Sequence, residues 1–193
     1  MEGDDRRAKL ARLREQGIDP FPHEFEDVEP TSAVEADTDR AHRVAGRIVA
    51  RRDQGGAAFI DLVDRAGKLQ LYAKRDELGD ESFDRLVSLD IGDLIGVDGT
   101  SFVTRRGQLS LLVADWKLLA KSLRDIPKEH YGLENVETRY RHRELDLIAN
   151  AESRELFIMR SNVVSGIRNW LDNRGFLEVE TPILQRLYGG ALA

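Results

Sequence analysis

The chain contains no cysteine, which excludes disulfides, Cys-bearing zinc sites and thiol nucleophiles together. It also lacks any apolar run near the roughly 18 residues that a membrane-spanning helix requires. Its first ten residues, MEGDDRRAKL, are charged from the start and cannot serve as a secretory signal. The expectation is a soluble, cytoplasmic protein. Four histidines, His23, His42, His130 and His142, stand apart without HExxH or comparable spacing, so no metal site is expected. There is no GxxxxGK[ST], no GxGxxG after a strand, no GxSxG and no kinase signature, so no recognised loop cradles a triphosphate. Internal repeats and low-complexity tracts are absent too.

What is present begins with 193 residues, 41% of them hydrophobic, enough for one domain plus part of another. The net charge of -6 argues at first against a nucleic-acid partner, but its distribution removes the argument. Residues 1–42 hold 6 Lys/Arg against 12 Asp/Glu, whereas residues 43–193 hold 23 of each. The acidity belongs to the leader. Within the body, basic residues cluster as Arg51-Arg52, Lys74-Arg75, Arg105-Arg106 and Arg139, Arg141, Arg143.

Residues 5–16, with Leu10 and Leu13 three apart, predict a short amphipathic helix ended by Gly17, Pro20 and Pro22. Residues 23–42 are polar and aperiodic and predict a linker. From 43 to 121 the pattern changes to strands: HRVAGRIVARR and AAFIDLV around DQGG, then KLQLYA after DRAG. RDELGDESFDRLVSL predicts one helix, and DLIGVDGTSFV and QLSLLVADWKLL predict two more strands around TRRG. Three strands, a helix and two strands in this length predict an OB-fold, a five-stranded Greek-key barrel that binds oligonucleotides. Alternation turns Ile60, Leu62, Leu69, Leu71 and Ala73 inward and leaves Phe59, Asp61, Gln70 and Tyr72 outward. Outward aromatics among amide and guanidinium groups have the composition of a base-stacking platform; a lone outward Phe is more often simply covered by a neighbour.

Residues 122–150 read as a charged, partly helical connector. A longer helix follows from Glu152 to Arg174, with Leu156, Val163, Ile167 and Trp170 on one stripe, Asn150 as N-cap and Gly175 at the left-handed C-terminal position. GFLEVETPIL then predicts a strand ending at Pro182. Glu178 and Glu180 would share one face of it, read as solvated carboxylates or partners of Arg174 rather than an acid/base pair.

The run Arg160, Ser161, IRNWL, Asn173 to Phe176, then Glu178-Val179-Glu180-Thr181-Pro182 resembles motif 1 of class II aminoacyl-tRNA synthetases. Upstream, VAGRIVARR, Phe59, GKLQLY and RYRHRELDLIANAESRELFIMRS are similar to lysyl-tRNA synthetases in particular. The resemblance extends from about residue 7 to the last residue. It implies an α+β catalytic domain, of which residues 151–193 supply only the first helix and strand, behind an anticodon-binding OB-fold at 43–121. It further implies that Phe59 stacks on the central anticodon base, with Arg52 and Gln70 as polar partners reading base edges. A fourth position departs from the family, which commonly has Glu where this chain has Gln108; an amide both donates and accepts, so discrimination at the first anticodon base is placed in question. Val163, Ile167, Trp170, Gly175, Phe176 and Pro182 fall on the motif 1 dimer interface, and Gly189, in Gly189-Gly190-Ala191, on a loop that contacts the substrate amino acid.

The implied partners are the anticodon stem-loop of tRNA(Lys) and a second copy of the enzyme; the implied cofactors are ATP and magnesium. Motifs 2 and 3, which carry the ATP-binding arginines, do not occur in these residues. The chain by itself is therefore expected not to catalyse aminoacylation. A free-standing tRNA-binding module, or the same segment of an aspartyl or asparaginyl enzyme, are the alternative expectations.

Overall fold

Alternating apolar residues drive the main structural unit. In the computed structural model, which describes residues 2–36, 40–127, 133 and 135–183, the chain divides into two units at 129/130. Among the described residues of the first unit, five strands form: β1 (Ala41–Gln54), β2 (Ala57–Val63), β3 (Lys68–Lys74), β4 (Leu94–Val103) and β5 (Leu109–Ala120). They close into a barrel in the order β1-β2-β3-β5-β4, antiparallel everywhere except between β3 and β5. Ile60, Leu62, Leu71, Leu111, Val113, Val44 and Val97 are fully buried inside, as the period-two pattern requires. This is the five-stranded OB barrel expected from the sequence.

The segment between β3 and β4 is two helices instead of one. α2 (Arg75–Leu78) and α3 (Asp80–Ser88) follow α1 (Glu2–Glu15) in chain order and are separated by Gly79. Its φ of +76° cannot continue a right-handed helix and favours a residue without Cβ. Phe83 and Leu86 of α3 join the barrel core.

Among the described residues, the polar linker between α1 and β1 is irregular apart from one 3-10 turn at Thr31–Ala33, but it is docked. Phe25 lies on Gly96 so closely that a Cβ there would come within 2.3 Å of the ring. Lys117 Nζ donates to Glu24 O (3.1 Å), and Glu29 N donates to Arg43 O (2.9 Å). The helix α1 is fastened mainly by charge: Lys9 Nζ reaches Asp90 (2.6 Å), Arg6 donates to Ile91 O (3.1 Å) and pairs with Asp125. Beneath it, the buried Lys121 ammonium bridges Asp90 (2.6 Å) and the fully buried Asp93 (2.9 Å). Paired and hydrogen-bonded in this way, the charges escape the large penalty of isolated burial.

In the second unit, α4 (Val136–Arg141), α5 (Arg143–Ala149) and α6 (Ala151–Asp172) follow one another. The fully buried Asp146 carboxylate knots them, accepting from Arg139 Nε (2.8 Å), Arg143 and Asn150, while Arg139 also donates to Ser153 Oγ (2.9 Å). Asn150 therefore does not cap α6 with its side chain, contrary to expectation, because Asp146 has captured its amide. Gly175 does adopt the left-handed conformation (φ +81°), with Phe176 N donating back to Leu171 O (3.2 Å). The expected strand through Val179 to Pro182 is not formed: residues 176–182 are irregular, since no described strand lies alongside to complete a ladder. Glu178 consequently has no sheet face to share with Glu180 and pairs with Arg168 (3.0 Å), not with Arg174, which stacks over Trp170 (3.6 Å to the ring centroid).

Candidate nucleic-acid interface

Strand register places the outward side chains in two rows across the barrel. One row runs Arg52, Phe59, Tyr72, Leu112; the next runs Asp61, Gln70, Ser110, Phe102. Phe59 stacks on Tyr72 with ring centroids 4.7 Å apart and planes 22° apart, and Tyr72 meets Phe102 at 5.7 Å in a tilted arrangement. Lys74 Nζ lies 5.6 Å from the Tyr72 centroid. The outer face thus carries a continuous aromatic strip supported by a cation.

Beside the strip is an open groove of about 770 Å³, lined by residues that include Arg52, Phe59, Gln70, Arg105, Arg106 and Gln108. All four positions singled out in the sequence for base recognition therefore face one cavity. Arg52 and Gln108 are exposed, Phe59 and Gln70 half-buried. The β4–β5 turn is fixed by Gly107 N donating to Thr104 O (2.8 Å) and Gln108 N to Thr104 Oγ1 (3.0 Å), which presents Arg105 and Arg106 at the rim. Neither arginine has an ion-pair partner among the described residues.

Lining charge is asymmetric. Arg52, Lys68, Arg105 and Arg106 face a single carboxylate, Asp61, which is taken up by Lys68 Nζ (2.8 Å) and more distantly by Arg52 (3.6 Å). Such a groove attracts polyanions, and Phe59 in its lining offers a π-face to an unstacked base. Gln108 donates from Nε2 to Leu109 O (3.2 Å), which leaves its Oε1 as an acceptor toward the groove.

The sequence does not single out Lys68 or Ser110. Ser110 could be placed outward by alternation with Leu111 and Val113, yet its position beside Gln70 follows from the parallel β3–β5 pairing, which leaves no local signal.

The motif 1 positions lie elsewhere. Val163, Ile167 and Trp170 form an exposed stripe on α6, and Phe176 is exposed beyond it. Pro182 sits in the irregular segment, and Gly189 lies outside the described residues. Among the described residues no cluster of His, Asp and Glu could hold a metal ion, and the cavity on α6 is lined by Glu155, Ile158, Met159, Asn162 and Val163, which is apolar and acidic where a triphosphate needs cations. No helix among the described residues is long and apolar enough to cross a membrane.

Two family matches follow one another along the chain. Residues 42–119 match the OB-fold nucleic acid binding domain of the tRNA anticodon type, and residues 135–193 match the class II tRNA synthetases for D, K and N. Fold and groove thus define an anticodon-type OB barrel joined to a class II synthetase segment. A lysine–tRNA ligase from Carboxydothermus hydrogenoformans is 44% identical over 96% of this chain and 39% of its own length. Those from Halalkalibacterium halodurans (42% identical, 97% of this chain, 40% of the relative) and Staphylococcus aureus (41%, 97% and 41%) agree. Over nearly its whole length the chain is thus similar to lysine–tRNA ligases, and its second half carries the class II synthetase match. It spans about two-fifths of the length of these relatives.

Proposed function

We propose that this chain is the N-terminal portion of a lysine–tRNA ligase and that its barrel groove binds the anticodon loop of tRNA(Lys). The observation that carries this reading is the convergence of Arg52, Phe59, Gln70 and Gln108 on one cation-rich groove, with Phe59 backed by the stacked Tyr72 ring. Phe59 receives the central anticodon base, Arg52 and Gln70 read its edge, and Gln108 offers an acceptor to the first base. The complete enzyme joins lysine to tRNA through lysyl-adenylate at the expense of ATP, with magnesium; these described residues do not supply that chemistry.

Domain roles follow the same reading. Residues 1–42 are a leader that braces the barrel, 43–121 the anticodon-binding domain, 122–150 a connector, and 151–193 the start of the catalytic domain. The exposed Val163, Ile167 and Trp170 stripe supports a role for α6 as the dimer interface of the complete enzyme, with Gly175, Phe176 and Pro182 extending it. Gly189 approaches the amino acid substrate.

Amide chemical-shift mapping tests the reading. Adding an unlabelled lysine-anticodon stem-loop to the labelled chain is expected to shift amides at the end of β1, in β2 and β3 and at Arg105 to Gln108, with α6 unaffected. Shifts confined to α6 or to the β1–β4 side of the barrel would overturn it.

A further inference from the structure

Gln70 is the groove residue whose chemistry is least determined by its own side chain, because an amide presents a donor or an acceptor according to how it is turned. Ser110 lies beside it in the parallel β3–β5 pairing and is fully buried although it faces outward. Its hydroxyl donates to Gln70 Oε1 at 3.0 Å. The competing acceptor, Gln108 O, is at 3.4 Å. A hydroxyl has one proton to give, and the shorter contact takes it.

The consequence is a fixed polarity. With Oε1 held by Ser110, Gln70 Nε2 has no partner among the described residues and faces the groove. The nearest carboxylate across the row, Asp61, is already held by Lys68 and Arg52 and does not compete for this amide. A turned amide would need Ser110 to accept from Nε2 and send its own proton along the longer path to Gln108 O.

We infer that Ser110 is a positioning residue for base selection: it holds the Gln70 amide with its N–H groups toward the RNA, so that the site selects a keto oxygen over an exocyclic amine. Uracil offers such an oxygen at C4 where cytosine offers an amine, and two facing donors repel. This inference rests on the anticodon-binding reading above and assigns the selectivity at its central base to a buried hydroxyl.

The test is a titration of lysine-anticodon stem-loops carrying uracil or cytosine at the central position, at fixed salt, against the wild-type chain, Ser110→Ala and Gln70→Glu. One neutral hydrogen bond exchanged for an unpaired donor corresponds to roughly tenfold in affinity. The wild type is expected to prefer uracil by about that factor, and Ser110→Ala to reduce the preference to about threefold or less while uracil-loop affinity changes less than about threefold. Retained uracil binding reports that the variant is folded. Gln70→Glu keeps an acceptor for Ser110 and turns a second acceptor to the groove, so its preference shifts toward cytosine even though overall affinity drops. An unchanged uracil-to-cytosine ratio in Ser110→Ala, or a Gln70→Glu chain that still prefers uracil, overturns the role of Ser110 and leaves anticodon binding standing. Absence of loop binding by the wild type overturns both.

Discussion

Replacing Phe59 by alanine is the perturbation whose size the structure defines best. Phe59 is half-buried on the outer face, one ring face against Tyr72 at 4.7 Å and the remainder open to the groove. Under the proposed reading, its contribution to RNA binding is the stack with one base, which is worth about 1–3 kcal/mol by alanine substitution. That range corresponds to roughly 5- to 150-fold in Kd. The expected loss is on the order of tenfold or more, since Tyr72 lies one strand away and cannot place its ring where Phe59 stood. The substitution also removes the Phe59–Tyr72 pair, worth about 0.5–1.5 kcal/mol of barrel stability beyond area burial. The two effects separate experimentally: fluorescence anisotropy of a labelled lysine-anticodon stem-loop reads affinity at constant salt, and thermal unfolding reads stability. Phe59→Trp should restore binding, whereas Phe59→Leu should restore stability more than binding. An alanine variant that unfolds earlier but binds the loop with unchanged Kd would make Phe59 a purely structural aromatic and remove it from the RNA site.

Further outcomes follow from other parts of the molecule. Arg105→Ala and Arg106→Ala, each removing an unpaired rim cation, should flatten the dependence of log K on log salt by about 0.7 for each phosphate that the arginine neutralises, as measured by titrations over a salt series; slopes parallel to the wild type would place both arginines away from the RNA backbone. Asp93→Ala takes from the buried Lys121 its fully buried carboxylate partner and should cost about 3–5 kcal/mol in chemical denaturation, whereas breaking the solvent-exposed Arg43–Asp98 pair should leave the denaturation midpoint nearly unchanged. Burial pushes the Asp146 carboxyl up, but hydrogen bonds from Asn150, Arg139, Ser153 and Arg143 outweigh it and hold its pKa down at about 2. A depressed carboxylate pKa stabilises the fold above its ordinary value of 3.8, and that stability is lost as pH falls from there through about 2. Helicity of α4 to α6 followed by circular dichroism should decline across that window, and Asp146→Asn should remove the transition while lowering stability at neutral pH.

The barrel was legible in the sequence because its strands bury one face. The alternation of Ile60, Leu62, Leu69 and Leu71 sets which side chains point outward, and with them the phase of Phe59 and Gln70. The convergence of Arg52, Phe59, Gln70 and Gln108 needed the family resemblance as well, since three strands and a turn bring them together. Three features were hidden for physical reasons. The break at Gly79 competes with good helical periodicity on both sides, and a single glycine does not announce which side of that balance wins. Leu10 and Leu13 announced the helix α1, and Leu13 packs on the barrel core, but the charge contacts that fasten it, Arg6 and Lys9 to Asp125 and Asp90, join residues more than 80 positions apart and leave no local signal. The expected strand at Val179 reads correctly as an alternating segment, but a strand is a property of two segments, and no described residue pairs with it.

Whether the barrel groove reads the lysine anticodon is decided by side-by-side titration of the chain with lysine- and aspartate-anticodon stem-loops, at one salt concentration and with Phe59→Ala as control. The lysine loop should bind at least about tenfold more tightly, and Phe59→Ala, which removes a sequence-tolerant stack on a central base that both loops share, should weaken both loops by a similar factor and leave their ratio standing. Equal affinity of the wild type for the two loops, or loop binding that Phe59→Ala leaves unchanged, would contradict anticodon recognition by this groove.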